Sequence, residues 1–350
     1  MKTILKSFIL LMLASLLLVS CKDDDYDPGS TIDSPVVGTW MLSSGNEYVE
    51  VLDFRSEGDG ILGIFYQEIN DPDPENTRIY NLEKIEGFSW EIEDDQIVIT
   101  FNNPVIVENQ YHPIRINAHE PIILPFDVSN EQLSIAVTGQ GNKYDLVPGE
   151  PLEMSELNAS WKYTEGDYTG FMSFSEGLGS GLGSDSFIAD DQSGMTSFRF
   201  LIVGSAVVLM YPEKDKDFYG DYKDYNQISE GDIVAFPADI EGDQLTFTYN
   251  GEPYIYTRFD GISLSDIEGS WEYTEGDYTD IITFNEQEQY GISISGSEAF
   301  YTETESGFAS TSSILDGNIL TIRYNRCLGD FESYNEISDW DYFTTLVRRE

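Results

Sequence analysis

Three short stretches decide the fold: SPVVGTW at residues 34–40, SELNASW at 155–161 and SDIEGSW at 265–271. Each opens with Ser and closes on a small residue, a hydroxyl residue and Trp: Gly38-Thr39-Trp40, Ala159-Ser160-Trp161 and Gly269-Ser270-Trp271. A glycine follows five positions after each Trp, at Gly45, Gly166 and Gly276. The correspondence runs on outward. Residues 41–54 (MLSSGNEYVEVLDF), 162–174 (KYTEGDYTGFMSF) and 272–284 (EYTEGDYTDIITF) each read as a strand, a glycine turn and a second strand ending in Phe54, Phe174 or Phe284. A fixed glycine between two half-apolar runs is a hairpin signal, and three copies of it make the chain an internal repeat.

The far ends repeat as well. LSIAV (133–137), LTFTY (245–249) and LTIRY (320–324) alternate as half-buried strands do, each after a polar turn: SNEQ (129–132), EGDQ (241–244) and DGN (316–318). A last strand is expected near Tyr144, Tyr254 and Tyr342, and IEDDQIVITF (92–101) shows the turn-plus-strand pattern once more inside the first repeat. Strand-like runs recur every eight to twelve residues with almost no helical period. The expectation is an all-β chain of three tandem small antiparallel barrel modules at 34–150, 153–260 and 263–350. The joins GEPLEMSE (149–156) and DGISLSD (260–266) are short, so the modules are expected to sit like beads with limited freedom. The third is the smallest, with fewer strands or shorter hairpins.

The N-terminus reads as a signal. Lys2 and Lys6 precede a twelve-residue apolar run, FILLMLASLLLV (8–19), then Ser20 and Cys21. That run is too short for a membrane span and suits a secretory signal peptide over 1–20. Leu18-Val19-Ser20-Cys21 resembles the lipobox of bacterial lipoproteins, which implies cleavage before Cys21 and a covalent lipid on it. The alternative is an ordinary secretory signal with an incidental cysteine. Lys22-Asp23-Asp24-Asp25 resembles the acidic export tag of surface lipoproteins of the Bacteroidota. It opens a flexible acidic tether, residues 21–33, and the expected location is the outer membrane, lipid-anchored and surface-exposed.

The chain holds 64 acidic against 18 basic residues, for a formal net charge of −46. Such a surface repels nucleic acid and anionic headgroups, which excludes both as partners. The acids are scattered and 40% of residues are hydrophobic, so the chain is an acidic globular protein. Beyond Cys21 only Cys327 remains, so no intrachain disulfide is expected and Cys327 reads as a packing residue.

Gly38-Thr39-Trp40 and Gly269-Ser270-Trp271 resemble the G-x-W signature of lipocalin-like domains, and the whole chain beyond the signal resembles tandem lipocalin-like lipoproteins of the Bacteroidota. The resemblance implies that each Trp seals the closed base of a barrel under an arginine from the last strand. Arg258 and Arg348 stand where that arginine is expected, while the first repeat has Val147-Pro148 there and the second has Ala159 for the glycine. The residues alone support the same assignment for Trp40, Trp161 and Trp271, because a barrel end needs a large plug and Trp buries ~200 Å². A row of sugar-stacking tryptophans is the functional alternative.

Candidate chemistry concentrates in YPEKDKDFYGDYKDYN (211–226). Asp215, Asp217, Asp221 and Asp224 around Gly220 offer hard oxygen ligands to calcium, but the spacing departs from the EF-hand and a charged hairpin is the better reading. Tyr211, Tyr219, Tyr222 and Tyr225 beside those acids suit sugar hydroxyls, against a reading in which they are strand residues of the core. NDPDPEN (70–76), with Asp71, Asp73 and Glu75, reads as a stiff turn, and His112 and His119 lack converging partners for zinc. G-x-S-x-G, H-E-x-x-H and phosphate-loop motifs are not found, so no catalytic residue is assigned and no cofactor beyond the lipid is expected. The expected function is a non-catalytic binding module for a glycan or other small nutrient ligand. The alternatives are an envelope assembly partner that binds another protein and, third, a carboxylate-based hydrolase.

Overall fold

The computed structural model describes residues 34–69, 79–107, 114–135, 142–175, 181–189, 192–214, 217–249, 251–259, 267–285, 293–316, 319–335, 337–338 and 342–346. Cys21, the 70–76 loop (NDPDPEN), His112, Asp215 and Arg348 lie outside them. Antiparallel strands dominate: two closed eight-stranded barrels are followed by a separate six-stranded sheet.

The first barrel is built from β1 (Gly38–Ser44), β2 (Tyr48–Phe54), β3 (Asp59–Ile69), β4 (Ile79–Glu93), β5 (Gln96–Phe101), β6 (Val105–Val107), β7 (Ile114–Ile116), β8 (Pro121–Ser129), β9 (Gln132–Ile135) and β10 (Asn142–Val147). The ring runs β1-β10-β9-β8-β5-β4-β3-β2, with β6 and β7 forming a side ribbon. Tyr48, Leu52 and Phe54 of β2 join Trp40, Phe88, Trp90 and Phe101 in the interior. Phe54 meets Phe88 and Trp90 edge-on, with centroids 5.3 Å apart in both pairs. This interior is filled by rings in the edge-to-face geometry that aromatic pairs prefer. The glycines five positions after the tryptophans turn the first hairpins at φ of +62°, +59° and +65° (Gly45, Gly166, Gly276), a conformation costly for any other residue.

The second barrel follows a one-turn helix, α1 (Met154–Leu157). Its strands are β11 (Ser160–Glu165), β12 (Tyr168–Ser175), β13 (Gly181–Ala189), β14 (Gln192–Val203), β15 (Ala206–Met210), β16 (Phe218–Gly220), β17 (Ile233–Glu241), β18 (Gln244–Tyr249) and β19 (Glu252–Arg258). Pairing of β13 with β14 closes the ring, and β16 continues the β15 track along β14 after a charged loop.

The two barrels are not independent beads. β2 is buried along its whole length because its alternate residues, Val49 and Val51, face away from the first interior. They enter a separate apolar core with Phe65, Leu201, Val203, Val208 and Ile233, drawn from the outer faces of both barrels. Polar contacts frame it. Thr39 Oγ1 accepts from the Ser205 amide at 3.1 Å and donates to Asp53 at 3.1 Å. Asn81 donates to the Tyr211 carbonyl at 2.9 Å, and Ile233 donates its amide to the Asn46 carbonyl. Gly204 shows how tight the joint is: a Cβ there would lie 2.0 Å from Thr39 Oγ1.

The third sheet consists of β20 (Gly269–Glu275), β21 (Tyr278–Asn285), β22 (Ser293–Tyr301), β23 (Ser306–Asp316), β24 (Ile319–Gly329) and β25 (Tyr342–Leu346) in sequential order. It corrects one expected alignment. LTIRY belongs to β24, which turns straight back on β23 and so occupies the fifth position, that of β5 and β15. β25 begins at Tyr342, where a last strand was expected, but it pairs with β24 as β17 pairs with β15 and so takes the sixth position and not that of β10 and β19. Counterparts of β18 and β19 do not occur among the described residues, and β20 pairs with β21 alone.

Candidate functional site

The three tryptophans share one local geometry and differ in burial. Each indole N–H donates to the carbonyl four residues earlier: Trp40 to Val36 at 2.8 Å, Trp161 to Leu157 at 3.0 Å and Trp271 to Ile267 at 2.8 Å. Trp40 and Trp161 are 1% and 0% exposed. Arg258 of β19 lies opposite Trp161 in the register, and its guanidinium covers the ring at 4.8 Å. In the first barrel the opposite residue is Leu146, not Val147 or Pro148. Trp271 departs from the expectation of a sealed base: it is 52% exposed. The physical reason is the open sheet, since the strand that would cover its ring has no counterpart among the described residues.

At the other end of the second barrel the sequence assembles tyrosines. Tyr163 sits before the Gly166 turn and Tyr168 after it, while Tyr254 and Tyr256 come from β19 beside them. Tyr163 lies 5.9 Å from Tyr168, 5.9 Å from Tyr254 and 5.4 Å from Tyr256, centroid to centroid. A short helix, α2 (Tyr222–Asn226), crosses this end and lays Tyr225 flat on Phe187 at 4.3 Å and parallel to Tyr168 at 5.9 Å. Tyr225, Tyr249 and Tyr254 remain 40%, 44% and 37% exposed. Gly170 makes this packing possible, because a Cβ there would stand 2.9 Å from the Tyr168 ring. The result is a rim of aromatic faces with carboxylates beside it.

The rim has an acidic floor. Asp185 accepts from the Tyr222 hydroxyl at 2.5 Å, and the Tyr211 hydroxyl is 3.5 Å from that of Tyr222. Burial, then the charge of Asp185, holds Tyr168, Tyr211 and Tyr222 well above the ordinary tyrosine value, so all three keep their protons and remain donors. Tyr163 donates to Glu165 at 2.5 Å, and that bond, followed by burial, pushes it up to about 12.

The candidate residues named from sequence therefore separate. Tyr225 stands on the rim. Tyr222 and Tyr211 are buried, at 1% and 4% exposure, and support the floor. Tyr219 points the other way, to the third sheet, where the Arg323 guanidinium lies over its ring at 5.6 Å and donates to its hydroxyl at 3.4 Å. Asp217, Asp221 and Asp224 are not brought together: among the described residues no three His, Cys, Asp or Glu side chains converge. Asp221 instead starts α2, its amide bonded to the Ser193 carbonyl. His119 occupies an exposed turn with φ of +60°.

One device escaped the sequence reading. Gly220-Asp221-Tyr222-x-x-Tyr225-Asn226 recurs as Gly329-Asp330-Phe331-x-x-Tyr334-Asn335, where α3 (Phe331–Asn335) repeats α2. The two glycines have φ of +66° and +68°, and both pair with a second glycine, Gly194 or Gly307, whose absent side chain admits the helix backbone at 2.4 or 2.5 Å. Tyr334 then stacks on Phe300 at 4.5 Å and on Tyr278 at 5.6 Å, a copy of the Tyr225 stack. The signal was available in the spacing G-D-aromatic-x-x-Y-N.

Each unit also buries a carboxylate against tyrosine. Glu50 accepts from Tyr48 at 2.8 Å and Tyr144 at 2.7 Å. Glu298, which holds the register position of Asp185, accepts from Tyr324 at 2.6 Å. Burial raises Glu298, and Asp280 nearby is raised by burial as well. A separate cleft of about 350 Å³ lies where residues 148–150 cross β17 and β18, walled by Pro148, Pro237, Asp239 and Thr248 without an aromatic ring.

No family model matches the chain, and no curated protein matches it. Among solved structures it is similar to the DNA polymerase III subunit beta from Pseudomonas aeruginosa, at 11% identity over 90% of this chain and 93% of that one, with a TM-score of 0.13. It is also similar to the H. pylori beta clamp in complex with 5-chloroisatin, at 9% identity over 93% and 94%, with a TM-score of 0.12. Likeness at those TM-scores carries no argument about fold or function.

Proposed function

We propose that this chain is a lipid-anchored, non-catalytic binding protein of the bacterial cell envelope, and that the tyrosine rim of the second barrel is its ligand surface. The anchor reading rests on the resemblance of Leu18-Val19-Ser20-Cys21 to a lipobox, and the surface location on the acidic Lys22-Asp23-Asp24-Asp25 that follows. The resemblance to tandem lipocalin-like lipoproteins supports the same picture. The rim carries the ligand assignment: Tyr225 and Tyr254 are exposed, and Tyr163, half-buried against Tyr254, holds Glu165 beside them, a combination that stacks on a sugar face and accepts from its hydroxyls. Both closed interiors are filled by side chains, so the ligand binds on the mouth and not inside a barrel. The test is a glycan array with the soluble fragment 34–350. The expected result is a hit weakened about tenfold by Tyr225→Ala or Tyr254→Ala, which each remove ~1–2 kcal/mol of aromatic contact. An array without a hit, or a hit indifferent to both substitutions, refutes the reading.

A further inference from the structure

The ring stack under the rim of the second barrel occurs again, pair for pair, in the third unit. Tyr225 of α2 lies on Phe187 at 4.3 Å with 23° between the planes, and Tyr334 of α3 lies on Phe300 at 4.5 Å and 19°. Tyr225 runs parallel to Tyr168 at 5.9 Å and 13°, and Tyr334 to Tyr278 at 5.6 Å and 9°. Beneath them Phe187 meets Tyr222 at 6.2 Å and 54°, as Phe300 meets Phe331 at 6.0 Å and 56°. The outermost ring is left open to the same degree, 40% for Tyr225 and 42% for Tyr334. Each stack adjoins a carboxylate bonded to a tyrosine hydroxyl, Asp185 to Tyr222 and Glu298 to Tyr324, and the two acids share one register position. The turn before each stack is the same peptide, YTEGDYT at 163–169 and 273–279, with Asp167 and Asp277 exposed. The barrel itself does not demand this arrangement. The first unit has Ile64 at the position of Phe187 and Phe300, and Leu62 at the position of Asp185 and Glu298. Stacked ring and carboxylate are therefore present together in two units and replaced together in the other.

We propose that Tyr334 and Tyr278 form a carbohydrate platform of the third unit, so that one chain holds two sites for the same class of ligand, a glycan. The proposal rests on reading the rim of the second barrel as a sugar surface and extends that reading to a second place. Tyr334 offers a ring on which the apolar face of a sugar stacks, and Asp277, next to Tyr278, offers a carboxylate to its hydroxyls. Burial, followed by the charges of Asp280 and Glu298, pushes Tyr278 up to about 12, so its hydroxyl keeps its proton and remains a donor. The near-identical ring geometry suits the same sugar face at both places. The footings differ by one hydroxyl, since Phe331 stands where Tyr222 stands, but both rings are buried and neither meets the ligand.

The probe is a printed glycan array, applied to the full chain in detergent and to its Tyr225→Ala, Tyr334→Ala and doubly substituted variants. The expected result is that Tyr334→Ala weakens binding of the parent's brightest glycan about tenfold, the worth of one aromatic contact, and that the double variant loses it. Tyr334→Phe keeps the ring and retains binding. Calorimetry with that glycan free in solution is expected to count two sites in the parent and one in Tyr334→Ala. Hydrogen exchange of the parent gives a second readout: the glycan newly protects Phe331–Asn335, and absence of that protection overturns the inference even where Tyr334→Ala unfolds the sheet. Binding that Tyr225→Ala abolishes and Tyr334→Ala spares overturns this inference and leaves the second-barrel rim standing. Binding that Tyr334→Ala abolishes and Tyr225→Ala spares supports the third-unit platform and removes the rim. An array on which no glycan is bound overturns both.

Discussion

Phe65→Ala separates a fused pair of barrels from beads on a string. Phe65 pairs with Val49 on the outer face of the first barrel, is 0% exposed, and contributes to the core that also holds Leu201, Val203 and Val208 of the second. On an isolated barrel that outer face would be solvated, and its truncation would change stability by within about 0.5 kcal/mol. In a shared, close-packed core, replacing Phe by Ala costs about 3–5 kcal/mol, transfer and cavity terms together. The two architectures thus differ by several kcal/mol at a single residue. The assay is urea unfolding followed by hydrogen exchange at β2 and, separately, at β15. The expected outcome is a loss of about 3–5 kcal/mol felt at both strands, although the substitution lies in the first barrel alone. A loss below about 1 kcal/mol, or destabilisation of β2 with β15 untouched, refutes the shared core.

Two further predictions concern single groups. Arg258→Ala uncovers Trp161 and lowers the urea midpoint of the second barrel by the equivalent of about 0.5–1 kcal/mol, with Arg258→Lys retaining part of it; an unchanged midpoint in both shows that the stacking contributes nothing. Burial raises the carboxyl of Glu298 above its ordinary 4.5, so the folded chain takes up that proton at a higher pH than the unfolded chain. The contribution of this group therefore falls as pH rises from about 4.5 through the raised value, the reverse of the usual salt-bridged acid. Glu298→Gln is expected to melt higher than the parent at pH about 7, with the gap closing on acidification toward 4.5; a lower midpoint at neutral pH refutes it.

Much of this architecture was legible in particular residues. The Trp heads and the glycines at 45, 166 and 276 located the first strands, because glycine adopts a +60° turn without the steric cost other residues bear. What escaped depended on pairing partners distant in sequence. A fifth and a seventh strand look alike locally: each follows a polar turn and alternates, so LTIRY matched LSIAV and LTFTY by pattern while its partner, β23, placed it elsewhere. That misalignment hid the copy of α2 at 331–335. The shared core left a trace that alternation alone overlooks. AVVLM (206–210) is apolar without interruption, and all five residues are buried because both faces of β15 are covered. The ligand candidates separated for a similar reason: Tyr219, Tyr222 and Tyr225 are neighbours in sequence, but a three-residue strand and a one-turn helix send them to the third sheet, the floor and the rim.

One register is used three times with different fillings. Opposite the residue that follows Trp by two positions stands Glu50, Gly170 or Asp280. In the first unit Tyr48 and Tyr144 close on Glu50, and Phe88 covers Gly60, so the interior is sealed at both levels. In the second, Phe198 still covers Gly183, but Gly170 lets Tyr168 lean across the mouth and the tyrosines turn outward as a rim. In the third, Thr311 stands over Gly296 where the others have phenylalanine, and Asp280 and Glu298 both lie in the interior. The exchange of phenylalanine for Thr311 buries a hydroxyl without a hydrogen-bond partner among the described residues, and such a group costs about 1–3 kcal/mol. The third unit is therefore expected to be less stable than the first two, which both keep phenylalanine at that position.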